Sequence, residues 1–185
     1  MDKVYIFLAD GFEEIEGLTV VDVLRRGGVQ IETVSISDSK MVAGSHGINI
    51  EADRTFGDGD LTDGKMYILP GGMPGTIHLG EHAELGKLLM DAWQQGKYVA
   101  AICAAPSVLA GLGILEGRKA TSNPGFMDKL TGAITLEDEV VKDGKLITSR
   151  GMGTAIPFAL QLLEELEGVE KAREIAEKLV WKQNF

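Results

Sequence analysis

Residues 98–106 read Tyr98-Val99-Ala100-Ala101-Ile102-Cys103-Ala104-Ala105-Pro106. A short apolar run of strand length ends on a cysteine flanked by small residues, and a helical pattern begins directly after it, running to about residue 112. A sharp strand-to-helix turn that presents a reactive atom needs this arrangement, because only small neighbours fit around it. The start of a helix also offers unpaired backbone N–H groups and the positive end of a dipole, which favour a thiolate over a thiol. Taken alone, Cys103 reads equally as an inert core residue or as a working thiol.

The same alternation of strand and helix extends outward in both directions. Strands are expected over residues 4–9, 29–36 and 65–69, with helices over 14–26 and 83–95. In the first helix, Ile15, Leu18, Val21 and Leu24 fall on one face, and Gly27-Gly28 ends it. Residues 41–55 read as a hairpin or meander turning at Gly44 and Gly47. Residues 140–148 read as a hairpin around Asp143-Gly144, a pair that favours a type I′ turn. Helices over 154–166 and 169–180 close the chain, the last with Ala172, Ile175, Ala176, Leu179 and Val180 on one side. Strands interleaved with helices imply an α/β domain, residues 1–185, whose mostly parallel sheet is covered on both faces. In such folds ligands collect at the carboxyl ends of the strands.

Composition narrows the function classes. The 185 residues are 44% apolar and 25% charged, which suits one folded core. The formal net charge of −10 makes nucleic acids and anionic membranes poor partners. The apolar stretch after Met1-Asp2-Lys3 is too short for a secretory leader, so a cytoplasmic protein is expected. A single cysteine supports neither an internal disulfide nor a cysteine-based zinc site. His78 and His82 lack the glutamate context of a zinc helix, and they are expected at the surface around a turn after Gly75. The acidic loop 58–64 lacks the glycine and glutamate positions of a calcium loop. No metal and no cofactor are expected.

Two more strand ends carry chemistry. Leu69-Pro70-Gly71-Gly72 brings glycines whose backbone can approach a ligand and whose N–H groups can face an oxyanion; a tight turn explains them as well. Gly11-Phe12-Glu13-Glu14-Ile15-Glu16 places three acids at a helix start. Dipole-favoured surface charge accounts for Glu13 and Glu14. Glu16, further along, is placed to face the strand end that carries Cys103, where a carboxyl group can hydrogen-bond sulfur or move a proton.

Taken together, Gly11-x-Glu13-Glu14-x-Glu16, Val21–Gly28, Leu69-Pro70-Gly71-Gly72, Ala101-Ile102-Cys103-Ala104-Ala105-Pro106 and Thr148-Ser149-Arg150-Gly151-x-Gly153-Thr154 resemble the ThiJ/PfpI superfamily, in particular its DJ-one branch. The resemblance spans essentially the whole chain. It implies a flavodoxin-like sandwich of the class I glutamine amidotransferase type, with Cys103 on the elbow and Glu16 hydrogen-bonded to it. It also implies an oxyanion or sulfinate pocket at Gly71, Gly72 and Ala104, and a homodimer joined through the first helix and the nearby hairpin. His46 and Arg26 (or Arg25) would then approach the pocket, His46 across the interface, and Asn123 would stand where relatives carry a histidine.

The implied activity is that of a cysteine-dependent glyoxalase or deglycase acting on methylglyoxal or early glycation adducts, with a small reactive aldehyde or glycated amine as partner. The alternative is a redox-sensing protein or chaperone whose cysteine is oxidised to sulfinate. A cysteine peptidase ranks last, because the peptidase-like branch has histidine where this chain has Ala104, and no neighbouring imidazole is available as base.

Overall fold

The computed structural model describes residues 3–182; Met1 and Asp2, which entered the argument against a leader, and the last three residues of the expected 1–185 span lie outside it. Strand β1 (Lys3–Leu8) leads into helix α1 (Glu14–Arg26), and β2 (Gln30–Ser35) returns beside β1 in parallel. A small antiparallel hairpin follows, β3 (Met41–Ala43) with β4 (Asn49–Glu51), and β5 (Arg54–Thr55) then rejoins the main sheet. Strand β6 (Gly64–Leu69) pairs with β1 on the side away from β2. Helices α2 (Gly75–Glu81) and α3 (Ala83–Gln94) lead to β7 (Tyr98–Ile102) and the short α4 (Pro106–Gly111). Beyond a two-strand ladder of β8 (Lys119–Ala120) and β9 (Ile134–Thr135), β10 (Val140–Asp143) and β11 (Leu146–Ser149) form a hairpin. Helices α5 (Ala155–Glu167) and α6 (Val169–Lys178) complete the chain.

The seven-stranded sheet runs β10-β11-β7-β6-β1-β2-β5, parallel throughout except for β10. Successive strand residues serve opposite faces. Val4, Ile6 and Leu8 of β1 enter one core, with Phe158, Leu162 and Leu163 of α5 and Val20 and Leu24 of α1. Tyr5 and Phe7 enter the other, with Leu85 and Leu89 of α3 and Leu109 of α4. Burial on both faces is why these strands read as continuous apolar runs. Each fully buried large side chain, such as Phe158, contributes on the order of 2 kcal/mol of transfer free energy. Because β2 and β6 leave β1 on opposite sides, the order reverses at β1/β6, and a crevice opens at their carboxyl ends.

Several expectations need correction. Ile15 is 53% exposed and Leu18 is only half-buried, while Val20, Val21, Val23 and Leu24 are buried, with Glu14, Glu16 and Gly17 beneath the first turn. The first turn of α1 lies over strand ends and the β3–β4 hairpin rather than over an apolar core, so carboxylates line its inner side. Glu13 and Glu14 are 7% and 5% exposed, not surface charges. The turn expected after Gly75 is helix α2. Helix α4 stops at Gly111, ahead of Gly113 in the left-handed region. Helix α6 stops at Lys178, and Val180 is 80% exposed rather than on the apolar side. The β10–β11 loop is Gly144-Lys145, with Asp143 paired to Leu146. Positive φ occurs at Gly144 and not at Lys145, the pattern of a type II′ turn rather than the I′ turn expected one residue earlier.

Candidate active site

Three strand ends meet at the crevice. Cys103 leaves β7 with φ +65°, in a region that side chains rarely occupy. Its N–H donates to the Ser149 carbonyl at 3.0 Å, and its carbonyl accepts from the Asn123 N–H at 2.9 Å. The turn is therefore held from β11 on one side and from the 121–123 segment on the other, which sustains the strain. The small residues Ala104 and Ala105 are both buried beneath it.

Glu16, fully buried on α1, faces this turn. Its Oε2 accepts the Gly71 N–H at 2.9 Å, and the Glu13 N–H in turn donates to the Gly71 carbonyl at 2.8 Å. Gly71 is thus clamped on both sides by the start of α1. A Cβ on Gly71 would stand 2.6 Å from Cys103 Cβ and 2.6 Å from Glu16 Oε2, so the thiol and the carboxyl group flank one residue that has to be glycine. Gly72, with φ +98°, packs equally closely: a Cβ there would meet the Glu13 nitrogen at 2.3 Å.

Electrostatics couples the pair. Burial, eased by the thiol interaction and the Gly71 amide, pushes the Glu16 carboxyl up to about 7. Burial and then the Glu16 charge push the Cys103 thiol up to about 12, against a lowering contribution from the Ala104 amide. The expectation that the helix start favours a thiolate is corrected here: α4 has only six residues, and desolvation with an ionised neighbour outweighs it. Between about 7 and about 12 the pair carries one proton. A protonated Glu16 is the partner that lets sulfur carry the charge. Glu16 Oε1 is buried without a hydrogen-bond partner, on the side where Gly151 approaches.

The remaining candidates divide. Asn123 adjoins the site: its N–H holds the Cys103 carbonyl, and its Nδ2 lies 3.7 Å from a Cβ position on Gly151. Arg26 does not enter the pocket of its own chain. It pairs with Asp22 at 2.9 Å, ten residues and so about 15 Å along the helix axis from Glu16. Arg25 is paired with Asp53 at 2.7 Å. His46 lies at the hairpin tip, where Nδ1 is 3.0 Å from Glu14 Oε2 and its N–H donates to Glu14 Oε1 at 2.7 Å. Burial opposes ionisation of Glu14, yet hydrogen bonds from its own N–H and from His46 hold its carboxyl down at about 2. The hydrogen bond that its ring donates to Glu14, with the charges of Glu13 and Glu14, raises His46 above its ordinary range. His78 Nδ1 lies 3.0 Å from the Asp10 carbonyl, and His82 caps α3 by accepting the Leu85 N–H. All three histidines are engaged away from Cys103.

Sequence reasoning missed Gly151, whose signal was the Ser149-Arg150-Gly151 segment after β11, and the inward aim of Glu13 and Glu14. An acidic helix start gives no sign of which neighbour covers it.

Known proteins resemble this chain in sequence and fold. The chain is 41% identical to Protein DJ-1 homolog B of Arabidopsis thaliana over 98% of its own length, which is 42% of that longer plant protein. It is 38% identical to the Caenorhabditis elegans protein named glutathione-independent glyoxalase DJR-1.2, covering 90% of this chain and 89% of that one. The structure of oxidised Toxoplasma gondii DJ-1 superimposes with a TM-score of 0.95 at 36% identity, covering 99% of this chain and all of that one. The profile of the DJ-1/PfpI family matches residues 2–165. With a family match over residues 2–165 and the same fold in solved relatives, the chain belongs to the DJ-1/PfpI family.

Proposed function

We propose that the protein converts small α-oxoaldehydes such as methylglyoxal into 2-hydroxy acids, with Cys103 as nucleophile and Glu16 as proton carrier. The observation that carries this reading is the fully buried Glu16 carboxyl group facing Cys103 across Gly71, where a Cβ would stand 2.6 Å from both Cys103 Cβ and Glu16 Oε2. The name of the worm relative supports it.

Sulfur adds to the aldehyde carbon, forming a C–S bond, while the thiol proton passes to the oxygen and gives a hemithioacetal. The Glu16 carboxylate removes the remaining C1 hydrogen, the electron pair forms an enediol, and Glu16 returns a proton to C2. The product is a thioester of lactate. Water attacks its carbonyl, lactate leaves, and the thiol is restored. The net change is addition of one water to methylglyoxal, with the oxidation at C1 balanced by reduction at C2, so no external redox agent enters. The Gly72 N–H donates to no other group among the described residues and is available to the oxygen that gains charge, beside the Ala104 N–H. Release of glycation adducts from amines would use the same sulfur addition.

A second reading, oxidation of Cys103 by peroxide to sulfinate, is favoured by one observation: the lone thiol is half-buried but reachable, with no second cysteine to resolve it. Peptidase chemistry has no support, since none of the histidines lies on the thiol. A second copy of the chain is proposed to cover Ile15 of α1 and Met41 and Ile48 of the hairpin, each more than half exposed. The test is methylglyoxal consumption with lactate detection on wild type and Cys103→Ser. Turnover that falls at least a hundredfold in the variant supports the assignment; equal turnover removes it.

A further inference from the structure

Beside the reaction centre, and independent of its chemistry, four donor atoms converge at the junction of α1 and the β3–β4 hairpin. Ser45 Oγ lies 3.3 Å from Glu13 Oε2, 3.3 Å from Glu14 Oε2 and 3.0 Å from His46 Nδ1. His46 Nδ1 lies 3.0 Å from Glu14 Oε2 and 3.5 Å from Glu13 Oε2. One ligand atom from the imidazole and one from each carboxylate lie within 4.8 Å of one another.

We propose that Glu13, Glu14 and His46, with Ser45 as a weaker fourth donor, form a binding site for a divalent transition ion of the zinc class. Zinc bonds to nitrogen and oxygen of 2.0–2.1 Å imply a tetrahedron with edges of about 3.3 Å. Five of the six edges of the Glu13–Glu14–Ser45–His46 set span 3.0–3.5 Å. Each donor therefore needs to move little to close on a central ion. One imidazole with two carboxylates and no sulfur suits zinc or its neighbours in the first row better than a thiolate-seeking ion.

The surroundings make the set different from an acidic patch on the surface. Both glutamate side chains are more than nine-tenths buried, whereas His46 is 68% exposed, so the ligands have a fixed inner wall and an open mouth. Two carboxylates held together out of water call for a cation, and the imidazole beside them offers a ring nitrogen that can serve as a ligand. The backbone fixes the inner wall. Glu13 caps α1 through Ile15, and the Ser45 N–H donates to the Phe12 carbonyl at 2.8 Å. Gly44 has to be glycine for the hairpin to sit there, because a Cβ would stand 2.2 Å from Glu14 Oε1.

The test is calorimetric titration of chelator-treated protein with zinc in excess magnesium, performed on wild type and on Cys103→Ala, which removes the competing thiol. The expected result is one zinc per chain retained in Cys103→Ala, and affinity at least tenfold weaker when His46→Ala or Glu14→Gln is added to it. Circular dichroism checks that each variant is folded. X-ray absorption of the zinc-loaded Cys103→Ala protein should show a nitrogen and oxygen shell with one imidazole. Absence of stoichiometric binding in folded Cys103→Ala, or an unchanged titration in folded His46→Ala, overturns the proposal and leaves His46 as a proton-bearing partner of the two carboxylates.

Discussion

At the scale of single residues, the site turns on how burial changes Glu16. A carboxyl group raised from 4.5 to about 7 binds its proton more tightly in the folded chain than in the unfolded one. Between those values the folded state holds more protons, so stability falls as pH rises, by on the order of 3 kcal/mol once both states are ionised. Glu16→Gln removes that dependence while keeping an oxygen for the Gly71 N–H. The expected outcome is a melting temperature that gains on wild type between pH 5 and pH 8; a difference that is flat or shrinks with pH would show that Glu16 titrates normally. Gly71→Ala is the steric counterpart. Its Cβ contacts at 2.6 Å on both sides force Cys103 and Glu16 apart, so thermal denaturation should show a loss of about 1–3 kcal/mol, with turnover falling sharply. Wild-type turnover in this variant would mean that the spacing of the pair is unimportant. The sequence made Cys103 and Glu16 visible as candidates because each sits at a strand-to-helix junction. It gave no warning that desolvation would raise the thiol, since burial depends on residues distant in the chain, such as Ser149 and Asn123.

Among secondary-structure elements, legibility followed burial. The strands buried on both faces, β1, β6 and β7, stand close to where continuous apolar runs placed them. Helix α1 was read in the right place and Leu18, Val21 and Leu24 do meet the core, but its first turn was misread, since Ile15 is exposed. The apolar spacing of Ile15 and Leu18 follows the helical period, whereas the first turn is packed by the hairpin, which no local pattern reveals. The two-residue ladders β8 and β9 and the 3-10 turn at Pro124–Lys129 lack any length over which a period could be seen. The β10–β11 hairpin shows how one residue of register changes the turn. Asp143-Gly144 suggested a I′ turn, but pairing of Asp143 with Leu146 uses Gly144-Lys145. Gly144 at φ +62° is then the position a side chain strains, with open space around it. Gly144→Ala should cost about 1 kcal/mol in chemical denaturation and leave turnover intact. An unchanged or raised midpoint would contradict the turn assignment.

For the whole molecule, the chain's arrangement and its family were both legible, because the five segments occur in order at the ends of the neighbouring strands β1, β6, β7 and β11 and along the first helix. Assembly as a homodimer is an expectation of the resemblance alone. The structure adds three exposed apolar side chains, Ile15, Met41 and Ile48, on adjoining elements tied together by the Phe12–Gly44 bridge. If a second copy covers them, light scattering should give a dimer for wild type and a monomer for Ile15→Glu with Ile48→Glu; a wild-type monomer, or a dimer that survives both changes, places the contact elsewhere. Glu13, Glu14 and His46 lie on or beside the same elements, so the proposed contact and the proposed ion site are neighbours.

The central claim is that Cys103 makes the bond and Glu16 moves the hydrogen. It is tested most directly by measuring, for wild type and Glu16→Gln side by side, the Cys103 adduct with methylglyoxal by intact mass and the lactate released. The account predicts that Glu16→Gln still forms the adduct while lactate release falls at least a hundredfold, within the range of about 10²–10⁴ expected for a proton-transfer group. Lactate released by Glu16→Gln at the wild-type rate would contradict it.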